Sequence, residues 1–214
     1  MLNIPFYKNL KTDTHCVQAS YKMVLKYVFP EKDFSYAFLD KKTYHKKDKW
    51  TWNAGGLLFL ASLGFEVKNI EKFDYKQLVQ FGVRYLKHIW DDETFRVQKQ
   101  YSDFNQEIRL AKKLLASKSI QVLNRKTSLE EIEKLFKSGY ILLASVNPAV
   151  FQRRKFYAKH LVVITGMTDK SIRFHDPGLP PMKNRRVLKA TFMRAMGNFP
   201  EVVALRHPRM KRSL

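Results

Sequence analysis

The run "YILLASV", residues 140–146, constrains this chain more than any other stretch. A continuous apolar segment of that length fits a strand in the middle of a sheet, covered on both faces. "HLVVITG", a turn at "MTDK" and "SIRFHDPG" follow it and read together as a β-hairpin. "EVVALR" closes the chain's regular structure as a last strand, after a short helix at "LKATFMRAMG".

The first half has a different period. Val17, Tyr21, Val24, Leu25 and Val28 recur at helical spacing, and Pro30 ends that helix. Asp13 or Thr14 is expected as its N-cap. "NAGGLLFLASLG" reads as a second helix, with Asn53 as its candidate N-cap and Gly64 as its C-terminal stop. The spacing of Val97, Tyr101, Phe104, Ile108, Ala111 and Leu115 predicts one long helix over about 92–117. "SIQVL" is a short strand, and "TSLEEIEKLFKSG" a helix with a capping box from Thr127 to Glu130. Helices followed by an antiparallel sheet make an α+β class. With no repeat or low-complexity linker, residues 1–214 are expected to form a single domain.

Composition narrows the setting. The chain is 45% hydrophobic, enough for a sizeable core, and no apolar run reaches the roughly 18–20 residues of a membrane helix. The opening "MLNIPFYKNLKTD" lacks a signal-peptide layout. One cysteine rules out an internal disulfide and fits a reducing compartment, so a cytoplasmic setting is expected. Net charge is +21, from 40 Lys and Arg against 19 Asp and Glu. That excess would steer acidic ligands, but the basic residues are dispersed and follow no nucleic-acid-binding motif. Nucleic acid is the less favoured partner. No Cys-x-x-Cys or His-Glu-x-x-His spacing is present, so neither a metal nor a cofactor is expected.

The chemistry-bearing residues are Cys16, His160 and Asp176. A three-residue hairpin loop from Met167 to Asp169 would set His160 opposite Asp176, where an imidazole and a carboxylate can pair. A register slip of one residue would turn them to opposite faces. Cys16 falls in the first turn of its helix, where free N–H groups and the helix dipole stabilise a thiolate. His15 is read as a surface residue, and His175 as lying on the strand face opposite Asp176. The order Cys, His, Asp is that of a papain-type site.

"IPFYKNLKTDTHCVQASYKMVL" and "KHLVVITGMTDKSIRFHDPG" together resemble the bacteriocin-processing peptidases and their stand-alone relatives. "TSLEEIEKLFKSGYILLASVN" and "FMRAMGNFPEVVAL" resemble the same family's helix–strand unit and its closing helix and strand. The resemblance covers about 1–30 and 127–206, and the helical stretch at about 70–118 looks like an insertion. It implies a papain-like fold, with the nucleophile helix on a C-terminal antiparallel sheet, hydrolysing peptide or amide bonds. Cys16 would be the nucleophile, His160 the general base and acid, and Asp176 the orienter. The family's oxyanion glutamine falls on Lys8, with Asn9 beside it, and Val17 replaces the glycine usual after the cysteine. Trp50 and Trp52 are candidates for the lip of a peptide cleft. Arg153 and Arg154 would border the cleft and favour acidic substrates. Two alternatives stay open: a papain-like peptide-binding module without turnover, and a basic nucleic-acid-associated protein.

Overall fold

The computed structural model of the chain describes residues 1–152 and 159–210. In chain order the elements begin with α1 (Cys16–Val28), α2 (Tyr36–Thr43), α3 (Asn53–Ser62) and β1 (Glu66–Glu71). Four helices follow: α4 (Tyr75–Phe81), α5 (Val83–Ile89), α6 (Asp92–Tyr101) and α7 (Phe104–Ala116). Then come β2 (Ile120–Asn124), α8 (Leu129–Lys137), β3 (Ile141–Val146), α9 (Pro148–Gln152), β4 (His160–Met167) and β5 (Ser171–Asp176). The last elements are β6 (Met182–Leu188), α10 (Lys189–Met196) and β7 (Val202–Arg206).

Among the described residues the fold is α+β, built on one seven-stranded sheet in the order β2-β1-β7-β3-β4-β5-β6. Every neighbouring pair is antiparallel except β1 with β2, which run parallel across the α4–α7 crossover. The apolar runs are continuous because both faces of the central strands are covered. Leu143, Val163 and Val203 face one core with α1 and α3. Leu142, Val162 and Ala204 face the other, with Ile132 of α8 and Phe192 of α10. The helix α1 sits tightly against α3, and glycine makes that approach feasible: a methyl on Gly56 would stand 2.0 Å from the Tyr21 ring.

Four local readings are corrected. The N-cap of α3 is Trp52, with no side-chain cap bond, and Asn53 is the first helical residue. The expected long helix is two, because Ser102 is extended and Asp103 starts a new helix by accepting from Gln106 N. The Ser102 hydroxyl is committed elsewhere, accepting from Trp52 Nε1 at 2.9 Å. The capping residue of α8 is Ser128, which accepts from Glu131 N, one position later than Thr127. The helix α1 is preceded by His15 as its N-cap, with no side-chain cap bond, in place of Asp13 or Thr14. Asp13 is instead in the left-handed region at φ 56°.

The first ten residues lie along the β4–β5 hairpin. Leu2 N donates to Thr165 O at 2.7 Å, at the bulge that interrupts β4. His175 Nε2 donates to Ile4 O at 2.9 Å while its Nδ1 accepts from Asn184 N, which defines one neutral tautomer. Asn9 N donates to Pro177 O at 2.8 Å.

Candidate active site

Hairpin register brings the first pair together by a route other than the expected one. Val163 stands opposite His175 and Ile164 opposite Phe174. Continuing that register sets Asp176 level with Val162, two residues from His160 and on the same face. The pair is therefore diagonal, still within reach of long side chains. The turn is longer than three residues, with Met167 opposite Ile172, and a register shift lies between Ile164 and Gly166. The net slip is two residues, which preserves the face. His160 Nε2 lies 2.8 Å from Asp176 Oδ1, and both side chains are buried.

Beyond Asp176 the ladder stops. Pro177 falls beside Leu161, and a proline has no N–H to offer a neighbouring strand. The backbone of Leu161 turns to α1 instead. Its carbonyl accepts from Ser20 Oγ at 3.1 Å, and its N–H hydrogen-bonds Cys16 one helical turn earlier. Cys16, partly exposed, is also hydrogen-bonded to His160. With Nε2 committed to Asp176, Nδ1 is the ring nitrogen left for the sulfur.

The electrostatics follow from these contacts. Burial pushes the Cys16 thiol up, but the hydrogen bond and charge of His160, with the Leu161 N–H, outweigh it and hold the thiol below its ordinary value. Burial pulls His160 down, yet the hydrogen bond to Asp176 and the bond and charge of Cys16 raise it to about 10. Asp176 is penalised by burial and then lowered by His160, Gly178 N–H and Arg185. These contacts favour the charged forms of Cys16, His160 and Asp176 over their neutral ones.

Two positioning groups were not foreseen. Arg185 Nη1 sits 3.0 Å from Asp176 Oδ2, and its Nη2 donates to Phe151 O at 3.2 Å. Its guanidinium also lies 4.7 Å from the Phe151 ring centre. In the sequence Arg185 belongs to a basic cluster that reads as solvated charge. Its pairing with Asp176 depends on β6 lying beside β5, with Phe174 opposite Arg185. Gly178 is the second. Its N–H lies 3.1 Å from both Asp176 Oδ1 and His160 Nε2. With Nε2–H donating to the carboxylate, Oδ1 is the acceptor for Gly178. A methyl at this glycine would stand 3.0 Å from His160 Cε1 and Nε2.

Asn9 and Lys8 are separated by the fold. Asn9 is buried at 3% exposure, and its Oδ1 accepts from His15 N at 2.8 Å. Because a backbone N–H can only donate, that bond fixes the amide orientation, and Nδ2 donates to Asp13 Oδ1 at 2.8 Å. Lys8 is exposed, and its carbonyl accepts from the Tyr36 hydroxyl. Cys16, as the first helical residue, has a backbone N–H with no intrahelical acceptor.

The tryptophans are placed by packing. Trp52 is ringed by Phe73, Trp90 and Phe104 with centroids 5.9–6.2 Å away. Trp50 is 42% exposed and stacks on Tyr101 at 5.0 Å. Arg153 and Arg154 lie outside the described residues. His15, expected on the surface, is buried, its ring 4.5 Å from that of His45. Among the described residues, no helix is long and apolar enough to cross a membrane.

Residues 1–199 match the model of the family described as Peptidase_C39 like. No curated protein matches the sequence. Among solved structures, the chain is similar to the peptidase domain of Streptococcus ComA, a bi-functional ABC transporter involved in a quorum-sensing pathway. Identity is 16%, the alignment covers 94% of this chain and 98% of that one, and the TM-score is 0.49.

Proposed function

This chain belongs to the Peptidase_C39-like family, and from that premise we propose that it is a cysteine hydrolase acting on peptide or amide bonds. The observation that carries the reading is the hydrogen-bonded series from Cys16 through His160 to Asp176. The Cys16 thiolate attacks the carbonyl carbon, and the electron pair moves to the oxygen. The Cys16 N–H and the second N–H of Asn9 Nδ2 are the donors available to that oxyanion. The His160 imidazolium passes its Nδ1 proton to the leaving amine as the C–N bond breaks, leaving a thioester. His160, now neutral, takes a proton from water, the hydroxyl attacks, and the acid leaves with the thiolate restored. Asp176 holds the ring on Nε2 and stabilises its charged form throughout.

The test is alkylation of Cys16 by iodoacetamide from about pH 4 to about pH 9, across the ordinary thiol range near 8.5. The expected profile retains reactivity well below that value and loses it in His160→Ala. A single titration near 8.5, indifferent to His160→Ala, would overturn the mechanism. A peptide library with N-terminal and internal acidic residues then identifies the substrate class, since the +21 net charge attracts acidic ligands.

A further inference from the structure

A second cluster lies beside the nucleophile helix and plays no part in the reaction. It consists of His15, Asp40 and His45, whose ligating atoms all fall within 4.8 Å of one another. His15 is the residue before α1, Asp40 is on α2, and His45 is just past the left-handed Tyr44 that ends α2. His15 Nδ1 lies 3.0 Å from Thr14 Oγ1, and His45 Nδ1 lies 2.9 Å from Thr51 Oγ1. Each ring thus has one nitrogen tied to a hydroxyl and Nε2 left over. His15 Nε2 stands 3.4 Å from Asp40 Oδ1. That oxygen is buried, yet no hydrogen bond of acceptable geometry reaches it among the described residues.

We propose that His15 Nε2, His45 Nε2 and Asp40 Oδ1 form a binding site for a divalent late transition metal, with Zn2+ as its probe ion. Two imidazoles and one carboxylate are borderline donors that suit zinc and its neighbours over Mg2+ or Ca2+, which take oxygen ligands. A hydrogen bond on the non-ligating nitrogen of each histidine is the usual support for a metal-bound ring. Zinc bonds of about 2.0–2.1 Å require donors roughly 3.3–3.5 Å apart, with the fourth position open to water. The His15–Asp40 pair already has that spacing, and His45, only partly buried, is the ligand that closes. Three lysines of the basic segment around His45 are engaged away from the cluster. Lys46 is paired with Asp103 at 2.5 Å, Lys49 reaches Gln100 O, and Lys42 lies over the Phe38 and Phe59 rings. A bound ion would clip α2 to the turn in which Asn9 holds His15 N, directly ahead of Cys16.

The experiment is calorimetric titration of ZnCl2 into Cys16→Ser protein, so that the thiol cannot take the metal, with a thermal-unfolding scan alongside. The expected result is one equivalent bound, a raised unfolding temperature, and at least about a 100-fold loss of affinity in His45→Ala and in Asp40→Asn. That loss exceeds the 10–100-fold that removing a supporting hydrogen bond costs. His45 is partly exposed and Asp40→Asn is isosteric, so both variants are expected to fold, as the unfolding scan without zinc will register. Absence of saturable binding overturns the proposal, as does binding that both substitutions leave unchanged.

Discussion

Replacing Arg185 with methionine probes whether the site is held from β6. The substitution keeps the apolar stem over Phe151 and removes the guanidinium from Asp176 Oδ2, which it meets at 3.0 Å. The partners are 15% and 4% exposed, so solvent screens the pair little. Breaking a buried pair by removing one member costs about 3–5 kcal/mol. Asp176 keeps His160 and the Gly178 N–H, so the loss is nearer that of one charged hydrogen bond, about 2–3 kcal/mol. For a chain of this size each kcal/mol moves the midpoint by about 2–4 °C, which gives a fall of roughly 4–12 °C. The assay is thermal unfolding of wild type and variant from neutral to acid pH. Asp176 has a lowered pKa, so its paired carboxylate contributes stability above the unfolded value of about 3.9 and loses it as pH falls through the folded one. The gap between the two proteins should therefore be full at neutral pH and close in acid. A variant within about 1 °C of wild type at neutral pH, or a gap that persists unchanged in acid, would refute the argument.

The remaining expectations concern the same few residues. Gly178→Ala puts a methyl 3.0 Å from the His160 ring, so alkylation of Cys16 should slow and stability should fall by about 1–3 kcal/mol, read by kinetics and denaturant unfolding. His160 is raised to about 10, so its stabilising contribution is full below its unfolded value of about 6.5 and is lost as pH rises through 10. NMR titration should show that value falling in Cys16→Ala, because the sulfur's hydrogen bond and charge are removed. Asn9→Ala leaves the buried His15 N–H without its acceptor, costing about 1–3 kcal/mol. If its amide also serves the oxyanion, turnover should drop about 100- to 1000-fold with KM little changed.

Legibility differed by element for physical reasons. "YILLASV" and the hairpin could be read because burial on both faces leaves an unbroken apolar run. Their register could not, because the shift beside Thr165 has no periodic signature. The pairing of His160 with Asp176 survived that error because side chains alternate with period two. The strands β1 and β6 were missed: "EVKNIE" is short and mixed, and "MKNRRVL" is a polar edge strand. The break at Ser102 was invisible to spacing, since Trp52, which takes its hydroxyl, comes from a distant part of the chain. His15 was misjudged because a helical wheel says nothing about a residue just outside the helix. Asn9 is by chemistry the closer substitute for a glutamine than Lys8, but that His15 N holds its amide oxygen has no signature in the spacing.

The lacing of the first ten residues along the β4–β5 hairpin has a consequence for the order of manufacture. Cys16 and Asn9 leave the ribosome early, but the groups they contact, Leu161, His160 and Pro177, come from late in the chain. Until residue 178 has emerged, the His160, Asp176 and Gly178 contacts that shape the surroundings of Cys16 cannot all be made. The sheet itself closes later still, because β7, which lies between β1 and β3, is the last strand to be made.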